Sequence, residues 1–210
     1  MPTKSHTSLV VMTKFPEAGK VKTRLSGVLG KQGACRLHAA MVQHLRTQTL
    51  SSLEEIEVQF YVAGGDQTSV SDWLGEQAWV PQVEGDLGIK MKTAIQSCFD
   101  QGAPKVLILG TDIPSLSSQH ILRMEDALDH CDVAFNPALD GGYVMAGMCG
   151  LYPEMFEGFE WSTEQVLTHS VKQLEAAGKR VSLLESLPDV DTEEDLELAV
   201  EILGYKPWES

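Results

Sequence analysis

Basic residues are scarce in this sequence: sixteen Lys and Arg stand against thirty Asp and Glu, a net charge of −14. A general nucleic-acid binder needs a basic surface to neutralise phosphates, so no nucleic-acid partner is expected. Cysteine is sparse and unpaired in pattern. Cys35, Cys98, Cys131 and Cys149 lie far apart with no CxxC spacing, which argues against a disulfide framework or a zinc site and leaves reduced thiols that pack. No apolar run approaches the ~18 residues of a membrane span, and the first residues lack the charged-then-apolar order of a signal peptide. These absences lead to the expectation of a cytoplasmic protein. At 210 residues and 43% hydrophobic, the chain is expected to form one domain over 1–210.

The charge that is present is unevenly placed. Residues 1–50 hold eight bases and one acid, Glu17, a balance of +7, whereas residues 51–210 hold eight bases and twenty-nine acids, a balance of −21. Four of the early bases crowd into "TKFPEAGKVKTRL" (13–25): Lys14, Lys20, Lys22 and Arg24. A local basic loop in an acidic chain suits a small anionic ligand. The loop follows the strand-like run "SLVVMT" (8–13) and precedes a helical pattern over 30–50, and Pro16 and Gly19 interrupt any helix through it. It therefore joins a strand to a helix, where backbone N–H groups and side-chain cations meet phosphate. Two familiar phosphate loops do not match. A P-loop would need a glycine where Lys14 stands and Ser or Thr where Val21 stands, and a dinucleotide fingerprint would need three spaced glycines where only Gly19 is present.

Beyond the loop, strand and helix patterns alternate. Strands are expected at 56–63, 105–110, 132–138, 142–148 and 180–186, and helices at 67–77, 90–101, 117–129, 162–178 and 192–203, the last opened by a capping box from Thr192 to Asp195. Such alternation gives an α/β fold with a mostly parallel sheet covered on both faces.

Three acidic stretches carry possible chemistry. In "VLILGTDIPSLS" (106–117) a buried strand runs into Asp112, which either caps the following helix or ligates a divalent cation; Ser115 and Ser117 are equally able to cap, which favours the metal reading. In "LPDVDTEEDL" (187–196), Asp189 and Asp191 alternate and would share a face of an extended segment, and Asp191 suits a cap or a metal ligand equally well. In "NPALDGGYVMAG" (136–147), Asp140 sits in a hairpin-like Asp-Gly turn, yet the segment is longer than a tight turn needs, and a carboxylate there can orient or deprotonate an acceptor hydroxyl. In "VEGDLGIK", Gly85 and Gly88 point to close approach of a ligand, and Lys90 adds a base. The histidines His38, His44, His120, His130 and His169 form no ligand spacing and read as ordinary helix residues. Trp79 and Trp208, both near prolines, suit packing or an oligomer contact.

The ordered set Lys-x-Arg-Leu, "GDLGIKM", "GTDIPSLS", "DGGY", a Trp-Ser-Thr triplet and "DVDTEEDL" resembles the A-type glycosyltransferase and nucleotidyltransferase superfamily. Within it the resemblance is to bacterial nucleotide-diphospho-sugar transferases of the radical-SAM/selenodomain-associated type, over nearly the whole chain. It implies a Rossmann-like three-layer α/β/α domain with a mixed, mostly parallel sheet, Mg²⁺ or Mn²⁺ as cofactor, Asp112 as the metal-binding Asp after the fourth strand and Asp191 as a second metal contact. The loop also resembles that of phospholactate guanylyltransferases.

Glycosyl transfer is the leading expectation. A nucleotide sugar would be bound through Lys14, Gly19, Lys20, Lys22, Arg24, Gly88 and Lys90, the cation on Asp112 and Asp191 with Arg24 would neutralise the departing nucleoside diphosphate, and Asp140 would orient an acceptor of unknown identity. The alternative is nucleotidyl transfer, in which a phosphorylated substrate attacks a nucleoside triphosphate and pyrophosphate leaves. A third reading is a nucleotide-binding regulator without turnover. Scarcity of glycine in the first loop favours a diphosphate over a triphosphate, because glycine backbone approaches phosphates most closely.

Overall fold

The computed structural model describes residues 6–157, 161 and 163–209. A seven-stranded sheet has the order β3-β2-β1-β4-β6-β5-β7, formed by β1 (Thr7–Lys14), β2 (Ile56–Ala63), β3 (Trp79–Pro81), β4 (Val106–Leu109), β5 (Val133–Pro137), β6 (Tyr143–Met148) and β7 (Val181–Leu183). All recorded pairings are parallel except those of β6, which runs antiparallel to both β4 and β5. The helices are α1 (Ser26–His44), α2 (Gln67–Leu74), α3 (Leu87–Asp100), α4 (Ser118–Ala127), α5 (Val166–Ala176) and α6 (Leu196–Leu203).

Alternation along the strands builds three layers. In β1, Leu9 and Val11 face the core formed with Val42 of α1, Val70 and Leu74 of α2, and Ile121 and Met124 of α4. Val10 between them faces the opposite core, with Met91, Ala94 and Ile95 of α3 and Leu174 of α5. Both faces of the central strands are therefore buried, which explains why β4 reads as an uninterrupted apolar run. A smaller cluster packs α6 on α1 through Leu25, Leu37, Met41, Val190 and Ala199, and Trp208 packs against it beside Gly33. Trp208 is thus a packing residue.

Differences from the sequence expectation are local. The three-residue strand β3, containing Trp79, has no signal in the sequence, because "WVP" is too short for periodicity to register. Helix α2 stops at Leu74, where Gly75 takes a positive φ, and α5 begins at Val166 rather than 162. Residue 162 lies outside the described residues.

Strand order also locates the functional edge. The chain starts at β1, moves outward to β2 and β3, and then crosses back to place β4 on the other side of β1. The loops after β1 and β4 leave in opposite directions from this switch point, and ligands of open α/β sheets bind in the crevice that opens there.

Candidate active site

Lys22 organises the crevice. It adopts a left-handed backbone conformation (φ 46°, ψ 45°), the one positive φ at a non-glycine residue among those described. A non-glycine residue held there costs ~1 kcal/mol or more and persists only where surrounding contacts compensate. The compensation is visible at its ammonium. Nζ donates to the Val190 carbonyl at 2.6 Å and meets Asp112 Oδ1 at 2.9 Å and Asp191 Oδ1 at 3.3 Å, with the side chain 2% exposed. Arg24 Nη1 donates to Asp191 Oδ2 at 2.6 Å. One lysine thereby ties the β1–α1, β4–α4 and β7–α6 loops together, and the Val190 N–H adds a bond to the Asp112 carbonyl at 2.9 Å.

Neither aspartate is used as a helix cap. Ser117 opens α4 with a reciprocal capping pair to His120, and the Asp195 carboxylate accepts from the N–H groups of Asp191 and Thr192 at 2.9 and 2.7 Å. Both the Asp112 and the Asp191 side chains are left facing the crevice.

Two cavities adjoin there. The first, about 560 Å³, is lined by Lys14, Lys20, Lys22, Arg24, Lys90, Asp112 and Asp191, together with Thr13, His38, Gln82 and Thr111. The loop bases, Lys90 and the two aspartates are thus brought to one cleft. Lys20 is exposed and pairs with Glu17 at 2.9 Å. The second cavity, about 320 Å³, has an apolar wall including Met12, Met91, Ile108, Tyr143, Trp161 and Val166, and its acids are Asp112, Asp140 and Asp189. Asp112 borders both.

Asp140 stands on the β5–β6 hairpin, where its Oδ1 accepts from the Gly142 N–H at 3.1 Å. Gly141 has φ +89°, and a Cβ there would strike the Glu164 backbone, so the hairpin and the segment before α5 require glycine to approach each other. Asp189 and Asp191 flank Val190, which is buried in the cluster with α1 and α6; Asp189 lines the second cavity and Asp191 the first. Burial, with the charges of Asp140 and Asp191 nearby, pushes the Asp189 carboxyl above its usual range.

Two sequence-selected glycines fall beside the cavities rather than in their walls. Gly88 is buried, and the space its missing Cβ leaves is filled by the Trp161 indole. Gly19 takes a positive φ that turns the loop, with Lys31 packed against it.

Two wall residues escaped sequence reasoning. His38, read as an ordinary helix residue, is 4% exposed, and its Nε2 donates to the Lys14 carbonyl at 2.8 Å, which requires the Nε2–H tautomer. Burial lowers its pKa, so the ring is neutral beside the bases of the loop. Gln82 Nε2 donates to the Thr13 and Tyr61 carbonyls at 3.0 and 2.9 Å, fixing the end of β1. Neither has a spacing signature; their roles come from contacts distant in sequence.

Among the described residues no group of three or more His, Cys, Asp and Glu is arranged as a complete metal cage, and no helix is long and apolar enough to cross a membrane. Asp112 fits a different kind of cation site: its side chain is 45% exposed at the junction of the cavities, and Mg²⁺ is commonly held by one or two carboxylates plus substrate phosphates.

Comparison with known proteins agrees with this architecture. The chain is similar to a protein provisionally named a nucleotide-diphospho-sugar transferase from Desulfovibrio desulfuricans G20, with 34% identity over 88% of this chain and 82% of that one and a TM-score of 0.82. At 15% identity, 4-diphosphocytidyl-2C-methyl-D-erythritol synthase from Anaerococcus prevotii DSM 20548 shares the fold over 95% of this chain and 97% of its own, with a TM-score of 0.62. CMP:2-keto-3-deoxy-manno-octonic acid synthetase, solved with CTP, shares it at 11% identity over 94% and 98%, with a TM-score of 0.55. No curated protein matches. The fold is thus that of nucleotide-diphospho-sugar transferases and nucleotidyltransferases, in keeping with the resemblance seen in the motifs. Residues 45–163, which carry Gln82, Asp112 and Asp140, match a family described as "Uncharacterized protein conserved in bacteria", and the chain belongs to that family, DUF2064.

Proposed function

We propose that the protein transfers a sugar from a nucleotide sugar to an acceptor, with Mg²⁺ or Mn²⁺ as cofactor. The observation that carries this reading is the meeting, at Asp112, of a basic cleft of about 560 Å³ and a cavity of about 320 Å³ that no Lys, Arg or His lines among the described residues. A nucleoside diphosphate is polyanionic, whereas an acceptor that presents hydroxyl groups is neutral, and the two cavities divide in the same way, with the transferred sugar at their junction. Lys14, Lys20, Arg24 and Lys90 face the diphosphate, while Lys22, saturated by three oxygens, holds Asp112 and Asp191 in place.

In the transfer, the bond between the anomeric carbon and the β-phosphate oxygen breaks and its electron pair leaves with the nucleoside diphosphate. The acceptor oxygen bonds to that carbon, and its proton passes to a carboxylate, for which Asp140 is placed in the second cavity. Arg24 and Lys90 stabilise the charge that develops on the leaving group. Asp112 and Asp191 are the residues to hold a divalent cation, which supplies further neutralisation of that diphosphate.

The test is calorimetry with GDP, UDP, CDP and ADP and the matching triphosphates, with and without Mn²⁺, followed by product analysis with nucleotide sugars. The diphosphate is expected to bind at least as tightly as its triphosphate. Asp112→Asn, which keeps the shape and the Lys22 contact, is expected to remove most of the Mn²⁺-dependent part of the affinity. Stoichiometric pyrophosphate from a triphosphate would replace this reading with nucleotidyl transfer.

A further inference from the structure

We infer that the acceptor occupies the second cavity and carries no phosphate or carboxylate there: it is a small molecule with an apolar face that presents hydroxyl or amino groups. This deepens the proposed transfer and rests on the nucleotide reading of the neighbouring cleft.

Charge is the main argument. Among the described residues no Lys, Arg or His lines the cavity, whereas Asp112, Asp140 and Asp189 do. An anion entering a partly apolar enclosure beside carboxylates meets repulsion that water screens poorly.

The remaining features select what is accepted. Carboxylates take hydrogen bonds from hydroxyl and amino groups and are strongest with charged donors. Tyr143 and Trp161 offer aromatic surface, and Met12, Met91 and Ile108 extend it, so an apolar face is matched on one side and polar donors on the other. At about 320 Å³ the space lies at the lower end for ligand pockets and suits a small acceptor. A phosphorylated acceptor, which nucleotidyl transfer would need, meets no lining cation for its phosphate among the described residues on this side of Asp112.

Local potential can be measured without knowing the acceptor. In the full chain carrying Cys35→Ser and Cys149→Ser, which leaves the two buried thiols Cys98 and Cys131, a single cysteine is introduced by Ala138→Cys in the cavity wall or by Thr23→Cys in the basic cleft. Thr163→Cys provides a second cavity position should Ala138→Cys fold poorly. Each is labelled with a cationic trimethylammonium-ethyl and an anionic sulfonatoethyl methanethiosulfonate, and the rate ratio is referred to free cysteine. In the cavity the ratio is expected to favour the cationic reagent by about tenfold or more, and in the cleft to favour the anionic one. Adding Asp140→Asn and Asp189→Asn should bring the cavity ratio back toward free cysteine. Equal or faster anionic labelling in the cavity would overturn the inference. Modification at Ala138→Cys should leave nucleoside diphosphate affinity within about twofold, and its loss would place the nucleotide there and defeat the acceptor assignment. Unaltered affinity after modification at Thr23→Cys would overturn the nucleotide reading of the cleft, while the cavity's charge preference is still read from the rates.

Discussion

Lys22 Nζ and Asp112 Oδ1 meet at 2.9 Å across the loops after β1 and β4, the lysine side chain almost wholly enclosed and the carboxylate half in solvent. This pair, with Asp191 and the Val190 carbonyl completing the ammonium's partners, makes a clamp out of a residue that the sequence presents as one of four similar bases.

Lys22→Met should therefore destabilise the fold far more than Lys20→Met. The first leaves two carboxylates facing each other and the Val190 carbonyl without its donor, a loss of about 1–3 kcal/mol once the partial exposure of both aspartates is allowed for. The second removes only an exposed pair with Glu17, expected to be within ~1 kcal/mol. Urea midpoints of the two variants check the difference.

Arg24 is two-thirds exposed at the mouth of the cleft and anchored on Asp191. Arg24→Ala is expected to lower affinity for the best-binding nucleoside diphosphate about tenfold or more, because a charge-assisted phosphate bond is lost. Lys105→Ala removes a base of equal charge that pairs with Asp129 away from the crevice, and should leave the affinity unchanged. Calorimetry with Mn²⁺ present compares the two, and similar losses in both would mean that only net charge matters.

Asp189 has a carboxyl pKa raised by burial first and by neighbouring acids second. Its protonated form is favoured in the folded state, so its contribution to stability is present below the unfolded pKa of ~4 and is lost as pH rises through the folded value. Asp189→Asn should melt ~2 °C or more above the parent at pH 7, and the advantage should vanish near pH 4. Thermal scans over that range decide it.

His38 has the opposite sign. Its pKa is lowered by burial, so the neutral ring contributes stability above the unfolded pKa of ~6.5, and that contribution is lost as pH falls through the folded value. Melting temperature should decline below pH 6.5 in the parent. His38→Gln retains a donor for the Lys14 carbonyl without a titrating ring and should show a flatter profile.

Most of the scaffold was legible because it depends on local pattern. The strand over 56–63 has the same bounds in sequence and structure, and buried runs such as Val106–Leu109 announce a sheet covered on both faces. Where Gly75 ended α2 early, the turn chemistry was local too, but helical spacing alone did not mark it. The site was legible by residue type and only partly by role. Lys22 and Arg24 were found together, yet nothing in "KVKTRL" distinguishes the enclosed clamp from the exposed base. His38 carries no sequence signal, because a histidine at mid-helix has no motif until the Lys14 carbonyl is placed against it.

The sequence by itself determined the alternation of strands and helices, the basic loop after the first strand and the acids after β4 and β7, since these follow from periodicity, turn residues and charge counted along the chain. Tertiary structure alone decided which acids face which cavity. Asp189 and Asp191, on either side of the buried Val190, reach different but adjoining cavities, and the antiparallel β5–β6 hairpin carries Asp140 to the same cavity as Asp189. These outcomes depend on long-range packing of buried side chains, which leaves no periodic trace at the charged positions it orients.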